Sequence, residues 1–372
     1  MQIQCSPSGS GQSSIWYEFK QFIQEFLANV NVCSIAAEES QHLVRALQQE
    51  SVDEKLDLEA LLRKAATNIL CQLIFGRRLD YDSEQDEKLF AAIQRLAFDH
   101  ARPINDLRWM GVGRLMIYMV GALRRGVKEA TKERAEIDTL LWNLVKRCEN
   151  SITIDECCVV REFLKQQDPA SNHFTDTDLA QLITDLFAQC LEPITSSLLW
   201  TIFLCAKHPE VQLKAYDEID GSEVQELSFV KACVLESMRY GTVRSYSLHR
   251  SIAELQLHNF QFPIGTTFLV NYWPLMRNKL RLPNAGSFEP QRFSKVDEST
   301  SVEETPILGF GFNNAEFSGV LTQSTVLLFA SLLKKFQFSV NEGEQKTPVQ
   351  PEAVGCMLYP AQINVKLRQR EE

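Results

Sequence analysis

Several features are missing from this 372-residue chain, and each absence removes a class of protein. None of the ten cysteines (Cys5, Cys33, Cys71, Cys148, Cys157, Cys158, Cys190, Cys205, Cys233, Cys356) falls in a CxxC pair, so zinc-ribbon and thioredoxin-type chemistry lack their signature. Most of these cysteines sit among apolar neighbours in helical stretches, as reduced, buried thiols do. Basic residues are outnumbered, 38 Lys and Arg against 48 Asp and Glu, and a formal charge of −10 argues against a nucleic-acid binder. No run is long and apolar enough to span a bilayer, and the start, "MQIQCSPSGSGQSS", has neither the charge nor the apolar stretch of a signal peptide. The expectation is a cytoplasmic chain with no membrane anchor and with membrane contact peripheral at most. No internal repeat and no Pro/Gly/Ser linker divides it.

What is present is helical. With 45% hydrophobic residues the chain has the means to bury a large core. "SIAAEESQHLVRALQQE", "DLEALLRKAATNILCQLIFG", "DEKLFAAIQRLAF" and "RGVKEATKERAEIDTLLWNLVKRCE" place apolar residues three and four apart, which predicts packed amphipathic helices. A longer helix follows in "TDTDLAQLITDLFAQCLEPITSSLLWTIFLCAKH", opened by a cap at Thr175 or Thr177. It is apolar nearly all round through its middle, so it belongs inside a domain. Pro193 removes a backbone donor there and should kink or open it locally. "SFVKACVLESMRYG" predicts another helix. The period then drops to two in "AELQLHNFQF" and "GTTFLVNYW", short strands around a turn at Pro263 and Gly265, and a final strand pair is expected near "CMLYPAQINVKL".

Four motifs in order carry a resemblance. "ESMR" (Glu236 to Arg239), "FPIGTTFLVN", "FEPQRF" (Phe288 to Phe293) and "LGFGFNNAEFSG" (Leu308 to Gly319), followed by an apolar helix, resemble the ExxR helix, strand turn, PERF loop and haem loop of the cytochrome P450 family. "TNILCQLIFGRRLDY" and "LLWTIFLCAKHPEVQLKAYDEI" are similar to its animal microsomal branch, which hydroxylates steroids, fatty acids and foreign compounds. The resemblance implies a mainly α fold with small β-sheets, the cytochrome P450 fold with its N-terminal part missing. Residues 1–34 are expected to be poorly defined and 35–372 to form a single truncated domain, without counterparts of the anchor, the first sheet strands or the helix whose Trp and Arg meet a haem propionate.

The charged motif has its own chemistry. Glu236 and Arg239, three apart, share a helix face, and Arg292 supplies a second guanidinium to the same carboxylate. An isolated ExxR is ordinarily a solvated pair; the spaced "FEPQRF" partner argues for a buried structural triad. In the family this triad holds the loop beneath the haem.

The haem loop departs from its pattern. With Gly311 on the loop glycine, Asn313 replaces the arginine that meets a propionate, Ala315 replaces the cysteine ligand, and Phe317 replaces a small glycine. A methyl group cannot coordinate iron, so the metal ligand is absent at this position. No Cys, His, Met or Tyr occurs between Ser294 and Phe336 to take over, and Glu316 reads as a surface carboxylate. On the long helix, "LFAQCLEPITSSLLW" puts Gln189 and Cys190 in place of Ala and Gly, keeps the catalytic acid as Glu192, and puts Pro193 in place of the threonine of the acid and alcohol pair that delivers protons to dioxygen. Cys190 and Cys356 read as packing. His249 and Arg250, in "SLHRS", occupy positions that touch a haem propionate in the family, with a plain surface role equally open.

The resemblance thus implies haem as cofactor, a lipophilic small-molecule substrate, an NADPH reductase partner and an endoplasmic-reticulum setting. The loop argues against haem and reductase here. Two functions are expected: a pseudoenzyme descended from a haem-thiolate monooxygenase, or a haem protein with an unusual ligand performing oxygen-independent, isomerase-type chemistry.

Overall fold

The computed structural model describes residues 3–4, 14–49, 57–101, 121–150, 157–167, 174–221, 227–280, 282–294, 315–345, 349–361 and 365–370. In chain order its helices are α1 (Ser14–Asn29), α2 (Val32–Gln49), α3 (Leu58–Phe75), α4 (Glu84–Ala101), α5 (Gly121–Asn150), α6 (Val159–Gln166), α7 (Asp176–Lys207), α8 (Pro209–Gly221), α9 (Ser228–Gly241), α10 (Tyr272–Met276), α11 (Ala315–Lys335) and α12 (Glu342–Gln345). The strands are β1 (Ile3–Gln4), β2 (Tyr246–Ser251), β3 (Leu255–Leu257), β4 (Phe260–Phe262), β5 (Thr267–Asn271), β6 (Phe336–Ser339), β7 (Pro351–Val354), β8 (Met357–Pro360) and β9 (Lys366–Gln369). The architecture is therefore mainly α with small antiparallel sheets, as the periodicity predicts. The chain divides into two compact units, one of residues 1–31, 67–191 and 248–269, the other of residues 32–66, 192–247 and 270–372.

In the first unit α4 packs on α5, α5 on α6, and α6 on α1. Helix α1 forms inside the segment expected to be poorly defined. Its Phe22, Ile23 and Phe26 are buried. Phe19 and Phe22 meet Phe163 of α6 and Phe174 in a ring cluster, with Phe163 and Phe174 edge to face at 4.9 Å. Such geometry suits the aromatic quadrupole. Asn68 closes the turn after α3 by exchanging two 3.0 Å hydrogen bonds with the Leu79 backbone, so both the oxygen and the nitrogen of this buried amide are bonded. Strands β1, β2 and β5 form one sheet in that order, and β3 and β4 pair with Leu255 opposite Phe262. Gly265 turns the chain between β4 and β5 at φ +84°, where a side chain would be strained.

Helix α7 opens on Thr175. Its backbone N–H and hydroxyl both donate to Asp178 Oδ2 (2.9 and 2.6 Å), and Asp178 N–H donates back to the hydroxyl. This reciprocal box settles the cap on Thr175 rather than Thr177. The helix continues unbroken from Asp176 to Lys207 with Pro193 inside it. Among the described residues it alone is long and apolar enough to cross a membrane, which corrects the expectation that no run is, and its apolar window is mostly buried within the protein.

In the second unit α2 lies along α11, and α9 packs on α11, α8 and the 3-10 turn Pro290–Phe293. Ser331 donates to Ser40 (2.8 Å) across the α2–α11 contact. Gln212 ties α8 to β6: its amide donates to the carbonyls of Cys205 and Phe338 and accepts from Phe338 N–H. The two strands in "CMLYPAQINVKL" do not pair with each other: β8 pairs with β7, and β9 with β6. The expected terminal pair is thus corrected to two separate hairpin-like ladders. Helix α9 ends where Thr242 turns left-handed (φ 48°), directly after Gly241.

A Cβ at Gly241 would lie 2.6 Å from the indole of the fully buried Trp200. Gly241→Ala is expected to cost about 1–3 kcal/mol through this overlap, read as a lowered urea midpoint with an unchanged slope. Ala at the exposed Gly319 inside α11, which meets nothing within 4 Å, is the contrasting control and should stabilise by about 0.5–1 kcal/mol.

Candidate functional site

Glu236 and Arg239 come from successive turns of one face of α9 and are both fully buried. They form a forked pair, Arg239 Nε to Oε2 at 2.7 Å and Nη2 to Oε1 at 2.9 Å. The remaining guanidinium hydrogens go to the carbonyls of Met276, Ala285 and Ser287 at 2.8–3.2 Å. Arg292, on the 3-10 turn, adds a contact to Glu236 Oε1 at 3.2 Å, and Glu289 N–H donates to the same oxygen at 2.9 Å. The structure therefore brings Glu236, Arg239 and Arg292 together. Sequence reasoning missed a fourth member. Glu289 reaches Arg292 Nη2 with its carboxylate at 2.9 Å, so the acid lost at Gln291 is supplied two residues earlier.

A second buried charge cluster lies on α7. Glu192 is 1% exposed, and both its oxygens are occupied: Oε1 accepts from Arg63 of α3, Oε2 from the hydroxyl of Tyr359 on β8. Arg63 also donates to Glu59 Oε1 (2.6 Å), one turn earlier on α3. Burial works against the Arg63 charge, but Glu192, Tyr359 and Glu59 outweigh it and raise its pKa above the ordinary value. Burial and then the Glu192 carboxylate push the Tyr359 phenol well up, which keeps it protonated and donating. Two further bonds fasten the same strand to the same helix: Ser196 Oγ and Trp200 Nε1 both donate to Leu358 O, at 2.7 and 2.9 Å. Glu192, Ser196 and Trp200, at successive turns of α7, thus all bond to β8.

The other sequence-derived positions are spread out. His249 is buried on β2, so a surface role is left only to Arg250, whose exposed guanidinium donates to Gly265 O at 3.2 Å. Cys190 is buried on α7. Cys356 is partly exposed, and its carbonyl accepts from the Ser245 N–H and hydroxyl. Gly311 and Asn313 lie outside the described residues. Ala315 is the first residue of α11, and its side chain also lies outside them.

A helix-borne ExxR pair completed by an arginine on a following 3-10 turn, behind a long central helix, is a family arrangement. The sequence matches the cytochrome P450 family over residues 13–367. The chain belongs to the cytochrome P450 family. Similar proteins include cytochrome P450 2U1 of Mus musculus, 23% identical over 383 residues, covering 96% of this chain and 70% of the relative. Cytochrome P450 2J1 of Oryctolagus cuniculus is 23% identical over 359 residues, 91% of this chain and 70% of the relative. Cytochrome P450 1A1 of Limanda limanda is 22% identical over 332 residues, 82% of this chain and 62% of the relative. The match begins near the start of α1, so the cytochrome P450 region extends upstream of Ile35, where the quoted motifs place its beginning.

In this cytochrome P450, Glu236→Ala leaves two guanidiniums without their shared counter-charge. The expected loss is about 3–5 kcal/mol by chemical denaturation. Tyr359→Phe removes one bond to a charged acceptor while keeping the ring, and should cost about 1.5–3 kcal/mol. A cost near zero for Tyr359→Phe would mean that water replaces the phenol at Glu192.

Proposed function

We propose that this chain is a cytochrome P450-fold protein descended from haem-thiolate monooxygenases of lipophilic substrates, in which the scaffold is kept and the oxidative chemistry is lost. In the family a cysteine thiolate on the haem iron pushes electron density onto it and favours O–O cleavage. The donor set of this chain does not fit that centre. Ala315 offers a methyl group in the register set by Gly311, and the segment from Ser294 to Phe336 contains no Cys, His, Met or Tyr.

The observation that carries the reading is the state of Glu192. A carboxylate that relays protons has to be reached by water or by the group it serves. Here both oxygens are bonded, to Arg63 and Tyr359, within 1% exposure, and the next residue is Pro193 rather than an alcohol. Glu192 serves as the counter-ion of a buried arginine. Its role is structural, like that of Glu236.

Binding of a lipophilic small molecule and peripheral contact with the endoplasmic reticulum belong to the proposal as inherited traits. A reductase partner does not, since a chain without a redox centre has no use for electrons. His249, Arg250, Gly311 and Asn313 keep only their ancestral positions in this reading.

Purified protein given haemin, reduced and exposed to carbon monoxide, should lack the red-shifted band of a thiolate-ligated ferrous haem. Such a band, or reductase-supported product formation abolished by Glu192→Gln, would overturn the proposal in favour of an active haem protein. Ala315→Cys alone should recover little of the band. Ala315→Cys with Phe317→Gly and Asn313→Arg should recover more, because the loop then regains its donor, its close approach and its cation together.

A further inference from the structure

The end of α5 and the start of α6 present two thiols to each other. Cys148 lies in the last turn of α5, and Cys158 is the residue that caps α6, in extended backbone (φ −140°, ψ 158°) with its carbonyl accepting from Glu162 N–H at 3.1 Å. Their sulfurs are 3.5 Å apart, a shared S–H···S contact between residues ten apart in sequence. Cys158 is fully buried and Cys148 is 6% exposed. Cys157 beside them is exposed, its sulfur 3.8 Å from Glu162. Cys148 sits in the last turn of a helix and Cys158 at a helix cap, so regular backbone holds both ends of the pair. A disulfide requires about 2.05 Å between the sulfurs, so closure has to bring them nearer by about 1.5 Å.

We propose that Cys148 and Cys158 form a redox site that a low-molecular-weight disulfide of the glutathione type closes into an intramolecular disulfide. Cys148 keeps the residual solvent contact and reacts first. Its thiolate attacks one sulfur of the oxidant, the S–S bond of the oxidant breaks, and one glutathione thiol leaves carrying the proton lost by Cys148. Cys158, already in contact, then attacks Cys148 Sγ, the mixed disulfide breaks, and the second glutathione thiol leaves with the Cys158 proton. Two protein thiols are oxidised and one glutathione disulfide is reduced to two thiols, so atoms and electrons balance. The shared hydrogen and burial hold Cys158 protonated, well above the ordinary thiol range, so closure is slow and the pair stays open unless oxidant accumulates.

Closure has a structural consequence within the same compact unit. Helix α6 carries Phe163 into the ring cluster with Phe19, Phe22 and Phe174. Linking its N-cap residue to α5 therefore clamps α5, α6 and α1 as one body, and the redox state sets how readily that corner opens.

Native full-length protein is incubated with glutathione disulfide, quenched with acid, alkylated and mapped by mass spectrometry without reduction. The expected result is a Cys148–Cys158 linked peptide in most molecules, glutathione on Cys157 as a separate adduct, reversal by dithiothreitol, and a melting temperature raised by about 3 °C or more. Cys157→Ser should leave the link intact. Full modification of the exposed Cys33 and Cys157 with Cys148 and Cys158 still alkylated as thiols overturns the proposal, and so does a link that joins Cys157 to either partner.

Discussion

A carboxylate sealed from water has to bring its counter-charges and hydrogen-bond donors with it. Glu236 is such a group, and much of the second unit is arranged to satisfy it. Two guanidiniums and one backbone N–H converge on its oxygens, and those guanidiniums in turn hold the carbonyls of Met276, Pro283, Asn284, Ala285 and Ser287. Irregular backbone that would otherwise bury unpaired acceptors is thereby tied to α9. The net stabilisation from such an assembly is modest, because desolvating the charges offsets most of their attraction. What it does is tie the loop to α9 through many bonds at once.

The Arg63, Glu192 and Tyr359 cluster repeats this logic on another helix. In both places an acid on a buried helix face takes an arginine from elsewhere in the chain. The difference lies in the third partner. Arg292 leaves the first assembly with an additional cation balanced by Glu289, whereas the neutral Tyr359 leaves the second with one carboxylate bonded to one guanidinium, which Glu59 also contacts. Both acids are sealed from solvent and paired with an arginine. A buried acid in a helix groove is thus ambiguous until its partners are known, since a structural counter-ion and a proton donor look alike in sequence.

That ambiguity marks what was legible. Helices α2 to α5, α7, α9 and α11 were readable because burial imposes a 3.6-residue period over long stretches. The Glu236 assembly was readable because two of its members sit at helical spacing and the third lies in a recognisable loop. Arg63 and Tyr359 were not, since they lie 129 and 167 residues from Glu192 and belong to no local pattern. Helix α1 was available in the spacing of Phe19, Phe22, Ile23 and Phe26 but was masked by its polar leader. The partners of β8 and β9 could not be chosen from sequence, because two short strands close together can pair with each other or with different neighbours, and only tertiary packing decides.

The fastening of β8 onto α7 also sets an order in time. Synthesis delivers Arg63 first, Glu192 129 residues later, and Tyr359, with Leu358 just before it, only 167 residues after Glu192. Until they emerge from the ribosome, the Glu192 carboxylate has one oxygen without its phenol, and Ser196 and Trp200 have no carbonyl to donate to. The second unit therefore cannot close this part of its interior until β8 has been synthesised, and a polypeptide halted before residue 358 leaves Ser196 and Trp200 without their acceptor and Glu192 without its phenol.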